Sequence, residues 1–314
     1  MAHPTHPHHG APGRHDDAPH PQHGAPDRHD HHAHDGQHSH GHGGAGDDPA
    51  GFAELLDLDG ELLREHLSEL TARLAALAGS SPVRRILDLG CGTGTGTFAL
   101  LRRFPDAEAV AVDGSPELLH HLQRRAEELG LAERVRTVRA DLDTGWPGLA
   151  AADLVWASAS LHHLGDADRT LGEAAAALRP GGLLAVVEPD GVPYFLPEDV
   201  GLGRPGLEAR CRAASAGLRA GGFPHLGADW GARLSRAGLT IEDKQVFDLE
   251  LRSPLPPAAG RYARVVLQRL RAALDTTADP ADLAALDALI DGDAGVGVLH
   301  RSDLVVRTER TLWV

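Results

Sequence analysis

Apolar residues recur three or four positions apart at Phe52, Leu55, Leu56, Leu62, Leu63, Leu67, Leu70, Leu74 and Leu77, and Gly79 follows. That spacing predicts a helix over 51–78, stopped by the glycine. The period then changes. Val83 to Leu89, apolar at 83, 86, 87 and 89, reads as a buried strand, and Thr95 to Arg103 returns to helical spacing. Further strand-type runs begin AVAVD (from 109), VRTVRADLD (135–143) and ADLVWASASLHHL (152–164). LRPGGLLAVVEPDG (178–191) reads as a helix end, a turn and a fifth strand. Such runs alternating with helical stretches imply βαβ units, hence a parallel sheet covered by helices on both faces. Beyond residue 191 the order loosens, with Pro and Gly over 192–225 and a helical patch around Leu207–Leu218. A helix near Asp229–Ala237, a long strand over 239–251, two helical stretches over 258–275 and 280–290, and an alternating strand from Ser302 to Val314 complete the pattern.

Between the first strand and its helix lies Asp88-Leu89-Gly90-Cys91-Gly92-Thr93-Gly94, and a further glycine stands at 96. Glycine has no Cβ and tolerates positive φ, so such a loop lets backbone approach a ligand closely. Its amides, at a helix N-terminus, are expected to face that ligand. A dinucleotide fingerprint spaces its glycines G-x-G-x-x-G, and the mismatch here argues against an NAD-dependent oxidoreductase. An acid followed by x-G-x-G-x-G resembles instead the first motif of the class I S-adenosylmethionine-dependent methyltransferases. The rest of that family's pattern follows in order: Asp113 closing the second strand, Asp141 after the third, His162-His163 after the fourth and the fifth strand behind them. The resemblance covers about residues 50–250.

It implies an α/β fold with a doubly wound, seven-stranded, mostly parallel sheet, its last strand antiparallel, and a helical insertion before that strand. On this reading residues 50–314 are the methyltransferase domain, 51–80 an N-terminal lid helix, and 192–225 and 256–292 insertions walling the substrate site. S-adenosylmethionine is the implied cofactor, with no catalytic metal. Asp88, Gly90, Cys91, Gly92 and Gly94 would meet its amino-acid end. Asp113, beside Gly114, would accept from both ribose hydroxyls, or else cap the helix starting at Ser115. Asp141 would take the adenine amino group, with Asp143 as its competitor and Leu142 against the ring. Ala157 and Ser158 close the fourth-strand side. Cys91 reads as a packing residue, since transfer from a sulfonium needs no covalent enzyme intermediate. His162 and His163 are candidates for a general base, against the alternative that they pack and close the cofactor site. Tyr194 is a further catalytic candidate; it and Phe195, His225 and Trp230 are expected to be substrate contacts or core, and Glu188 and Asp190 acid/base candidates or caps.

Composition narrows the partners. A net charge of −15 argues against nucleic acid, which needs clustered cations. Two cysteines make no disulfide framework and suit a reducing cytoplasm. Neither a signal peptide nor a membrane span is expected. Residues 1–48 hold 14 of the 21 histidines and almost no large apolar side chain, so they are expected to be a disordered tail. Within it HHGAPGRHD (8–16) is nearly repeated as QHGAPDRHD (22–30). His29, His31, His32, His34, His38, His40 and His42, interleaved with acids, could chelate divalent ions at several weak sites. The expected activity is methyl transfer by SN2 to an O, N or C nucleophile of a small-molecule acceptor. The rival is a His-rich metal-binding protein whose nucleoside-binding domain transfers nothing.

Overall fold

A computed structural model of the chain describes residues 49–219, 223–274, 278–293 and 295–314. The His-rich stretch 1–48, with its repeat and its proposed metal ligands, lies outside the described residues.

The first helical stretch is two helices, α1 (Pro49–Leu62) and α2 (Arg64–Ala78). The chain bends at Leu63, three residues past Gly60, while the backbone bonds Leu63 N–Asp59 O and Leu67 N–Leu63 O persist at 2.9 Å. The expected single helix therefore kinks, and the reason is that its two halves have different partners. Leu58 and Leu62 join one apolar cluster, built with helices late in the chain. Leu70 and Leu74 join another, against the sheet residues Ile86, Leu154 and Trp156.

The sheet follows from β1 (Arg85–Leu89), α3 (Thr95–Arg103), β2 (Glu108–Asp113), α4 (Pro116–Glu128), β3 (Val135–Arg139), β4 (Ala152–Ser158), α5 (Ala167–Ala177) and β5 (Leu178–Pro189). After it come α6 (Leu207–Arg219), α7 (Trp230–Arg236), β6 (Lys244–Leu251), α8 (Ala258–Ala272), α9 (Pro280–Asp291) and β7 (Val306–Trp313). The strand order is β3-β2-β1-β4-β5-β7-β6, all parallel except β7, which runs antiparallel to both neighbours. Ile86, Leu87, Asp88 and Leu89 of β1 are all buried, as a central parallel strand covered on both faces requires. One local expectation changes. Leu178 already pairs with Ala152, and the Pro180-Gly181-Gly182 stretch is an irregularity inside β5, so it does not separate a helix from a strand.

The chain winds outward from β1 in one direction and from β4 in the other. The order therefore reverses between β1 and β4, and a crevice opens past their carboxyl ends. The late helices pack on α1 to form their own core, with Phe195, Tyr262, Leu267, Leu286 and Leu289 at its centre. Among the described residues, no helix is long and apolar enough to cross a membrane. Cys91 and Cys211 are both buried and unpaired with each other.

Candidate functional site

The crevice contains a cleft enclosing about 920 Å³, part of it open to solvent. Its floor is the loop after β1. Gly90 sits at φ +67°, and a Cβ there would lie 2.4 Å from the Cβ of Ser160, so only glycine fits. The amides of Gly90 and Cys91 donate to Val112 O (2.8 and 3.0 Å), and Gly94 N donates to Cys91 O (2.9 Å). Gly92 N donates to Asp113 Oδ2 at 2.9 Å. These four amides are thus committed inside the protein, where the sequence pattern suggested that they face a ligand. Three of them pin the loop to the end of β2, the fourth closes a turn within it, and the missing side chains leave its surface low.

Three acids stand around this loop. Asp88 is buried and receives the Thr97 hydroxyl at 2.5 Å. Burial, reinforced by the charge of Asp113 and opposed by the Thr97 bond, raises its carboxyl to about 7. Asp113, also buried, accepts from Gly92 N through Oδ2 and from Ser115 N through Oδ1, both at 2.9 Å. The N-cap of α4 is Ser115 itself, which accepts from Leu118 N, so Asp113 braces the turn and is not the cap. Asp141 and Asp143 separate cleanly. Asp143 Oδ1 accepts from Gly165 N (2.9 Å) and Asp166 N (3.2 Å), while Asp141 Oδ1 accepts only from Asp143 N (2.9 Å) among the bonds of this turn made to side chains.

Past β4, the two histidines take different positions. His162 Nδ1 lies 2.5 Å from Glu188 Oε2, with both residues buried. Glu188 Oε1 accepts from Ser160 N (3.0 Å) and Leu161 N (2.8 Å), so this acid ties the post-β4 turn together. His163 lines the cleft, with its ring tilted against His162 and edge-on to Phe223, at centroid distances of 4.2 and 5.1 Å.

The cleft thus gathers Asp88, Gly90, Cys91, Gly92, Asp113, Ser158 and His163 of the anticipated residues. Gly94, Gly114, Ala157 and His162 lie outside its lining, each adjacent in the chain to a residue that forms it, and Asp141 and Leu142 lie outside it as well. Tyr194 is elsewhere: it lines a second cavity with Leu196, Glu208 and Arg307, under the Arg212 guanidinium at 4.5 Å. Phe195 and Trp230 are buried core, His225 Nδ1 meets Arg233 at 3.0 Å, and Asp190 accepts from Thr311 (2.8 Å). Among the described residues, none from 192–225 or 256–292 lines the cleft, which is roofed instead by α1 and α2. The insertion acts from behind, where Tyr262 of α8 donates to Asp59 of α1 at 2.7 Å.

Several lining residues had no signal in the sequence: Asp59, His66, Thr95, Ser160 and Arg310. Arg310 on β7 donates through Nη2 to both oxygens of Asp59, at 2.7 and 2.8 Å. No local pattern marks an arginine in an alternating strand as the partner of a helix residue 251 positions away. Among the described residues, no group of three or more His, Cys, Asp or Glu is placed to hold a metal ion.

Comparison with known proteins adds independent findings. Residues 86–182 match a family model described as "Methyltransferase domain". A trans-aconitate 2-methyltransferase of Variovorax paradoxus is 34% identical over 139 residues, 43% of this chain and 51% of the relative. One from Methylobacterium radiotolerans is 36% identical over the same length and shares of each chain. The 27-O-demethylrifamycin SV methyltransferase of Amycolatopsis mediterranei is 38% identical over 152 residues, 43% of this chain and 54% of that protein. The chain spans about half the length of the curated relatives it matches.

Proposed function

On the premise that residues 86–182 form a class I S-adenosylmethionine-dependent methyltransferase domain, we propose that the chain methylates an O, N or C nucleophile of a small-molecule acceptor. The observation that carries this reading is the position of Asp88, Gly92 and Asp113 on one cleft wall, at the sheet's switch point, within the matched stretch. The residues present suit the cofactor. Two buried acids stand where a cationic amino-acid end and a ribose would meet them. The hydroxyls of Thr93 and Thr95, which also line the cleft, are buried with no partner of their own. When bound, S-adenosylmethionine supplies an electrophilic methyl on a positively charged sulfur, open to in-line displacement.

The protein's own contribution is placement. Asp113 would hold the ribose diol while its two backbone bonds keep the carboxylate fixed. Asp88 would take the ammonium, and Asp141, left with free acceptor capacity by Asp143, would take the adenine amino group. His162, held by Glu188, would keep the turn after β4 in place beneath His163, the histidine that faces the reaction space. Phe52, Leu56 and Leu67 on α1 and α2, with Leu63 at their bend, would exclude water. Alignment of this kind can lower a barrier by about 7–11 kcal/mol. The names of the relatives, trans-aconitate and demethylrifamycin methyltransferases, support a small molecule as acceptor.

Calorimetric titration with S-adenosylmethionine and with NAD tests the proposal, followed by transfer of radiolabelled methyl into metabolite extracts. Saturable binding of S-adenosylmethionine alone and a labelled small product are expected. Binding of NAD without S-adenosylmethionine would overturn the reading.

A further inference from the structure

We propose that His66 and Arg310 form the acceptor end of the cleft, and that the acceptor carries a carboxylate which these two residues hold. The inference rests on the methyltransferase reading and adds the substrate class.

The cleft is chemically lopsided. At the loop end stand two buried acids, Asp88 and Asp113. At the other end stand His66 and Arg310, the latter paired with Asp59, all three in the lining. His66 is 6% exposed, yet neither of its ring nitrogens has a partner, and Arg310 Nε is likewise buried without an acceptor. Buried polar atoms of native proteins are nearly always hydrogen-bonded, so orphans that share one cleft call for an explanation. Of these atoms, Arg310 Nε–H and the protonated ring nitrogen of His66 are donors without an acceptor, on two residues that line the same cleft.

These groups are also held rigidly. The Arg310 guanidinium is anchored through Nη2 to both oxygens of Asp59, and Asp59 Oδ1 is itself fixed by the Tyr262 hydroxyl at 2.7 Å. The His66 ring stands edge-on to Phe247, at a centroid distance of 4.4 Å. Phe247 is the cross-strand partner of Arg310, so helix and strand set the two donors side by side. Burial, with the neighbouring Arg310 charge, lowers His66 to about 4 against the opposing effect of Asp59. The ring is then neutral at pH 7 and offers one N–H donor and one lone pair. A guanidinium N–H and an imidazole N–H, both without an acceptor, favour an anionic oxygen, because charge-assisted bonds are the stronger ones. Asp59 lines the same end and takes Arg310 Nη2, so what Arg310 retains for an acceptor oxygen is its Nε–H beside His66, while the loop end presents only acids. With only these two N–H donors left over, a carboxylate is satisfied where a phosphate would leave oxygens unpaired.

The test uses the full chain and radiolabelled S-adenosylmethionine. The acceptor panel is trans-aconitate, citrate, succinate and benzoate, set against benzamide, phenol and benzylamine. Methylation of at least one acid, with the neutral and amine probes inert, is expected. His66→Leu and Arg310→Lys should each raise KM for that acid about tenfold or more, the scale of one lost charge-assisted bond, with cofactor Kd within about twofold of wild type. Should Arg310→Lys fail to fold, His66→Leu alone decides the matter. Transfer to the neutral or amine probes but not the acids, cofactor binding without transfer to any acid, or an unchanged KM in the variants each overturns the proposal. So does a cofactor affinity that falls in parallel with KM, which would mean that the pair holds the cofactor's own carboxylate. Failure of the wild-type protein to bind S-adenosylmethionine would instead bring down the methyltransferase reading and this one together.

Discussion

Replacing Asp113 by asparagine separates two roles that converge on one side chain. In the folded chain each carboxylate oxygen already accepts one backbone amide at 2.9 Å, from Gly92 and from Ser115, and the residue is only 3% exposed. In Asp113→Asn one oxygen becomes an NH2 group facing an N–H donor. A buried donor left unsatisfied costs about 1–3 kcal/mol of stability, which lowers Tm by several degrees in a domain of this size. The ligand loses more. A carboxylate holding two ribose hydroxyls makes two charge-assisted bonds worth roughly 1.5–3 kcal/mol each, so their loss weakens Kd by about two powers of ten or more. Loop damage alone could also weaken binding, and a double cycle separates the effects. S-adenosylhomocysteine and its 2′-deoxy analogue are titrated calorimetrically into both proteins. Wild type should lose about tenfold or more when the 2′-hydroxyl is removed, and Asp113→Asn should barely distinguish the two ligands. An equal loss in both proteins would mean that Asp113 braces the loop without touching the sugar, and the reasoning fails.

Asp88 gives a pH signature. Its carboxyl sits at about 7, above the ordinary 3.8, so an approaching ammonium must drive off a proton at pH below 7. Affinity for S-adenosylmethionine should therefore climb as pH rises from about 5 to 7, by up to tenfold per unit, and level off above; Asp88→Asn should flatten the profile. For the unliganded fold the same raised value favours the protonated state, so this group's contribution to stability is present below about pH 4 and lost as pH rises through 7. A pH-independent wild-type affinity would refute the assignment. For residues 1–48, deletion should abolish weak multi-site uptake of Ni²⁺ or Zn²⁺ while leaving methyl transfer intact; equal uptake before and after deletion would remove the metal-binding role of that stretch.

The legible parts of this protein are those whose physics is local or periodic. A central parallel strand is covered on both faces, so β1 carries Ile86, Leu87 and Leu89 without polar alternation, and α3 begins and ends where its spacing predicts. The glycine loop is visible because positive φ and close contact demand glycine at fixed positions, and the resemblance drawn from it located Asp88 and Asp113 on the cleft wall. Other features depend on a second element arriving. The bend at Leu63 exists because two clusters pull one apolar stripe in different directions, and no single-helix periodicity encodes that. The loop amides face Val112 and Asp113, which depends on where β2 ends relative to β1.

The same contrast holds within the site. Local sequence, read with its family pattern, determined the sheet, the glycine floor and the acids at strand ends, since each depends on the conformational limits of a few consecutive residues. Only tertiary structure decided that Asp59, His66 and Arg310 share a roof, and that Tyr194 belongs to a different cavity. A polar side chain on an amphipathic helix or an alternating strand looks solvent-facing until another surface covers it. Burial, and with it the energetic demand for a partner, is a property of the assembled chain.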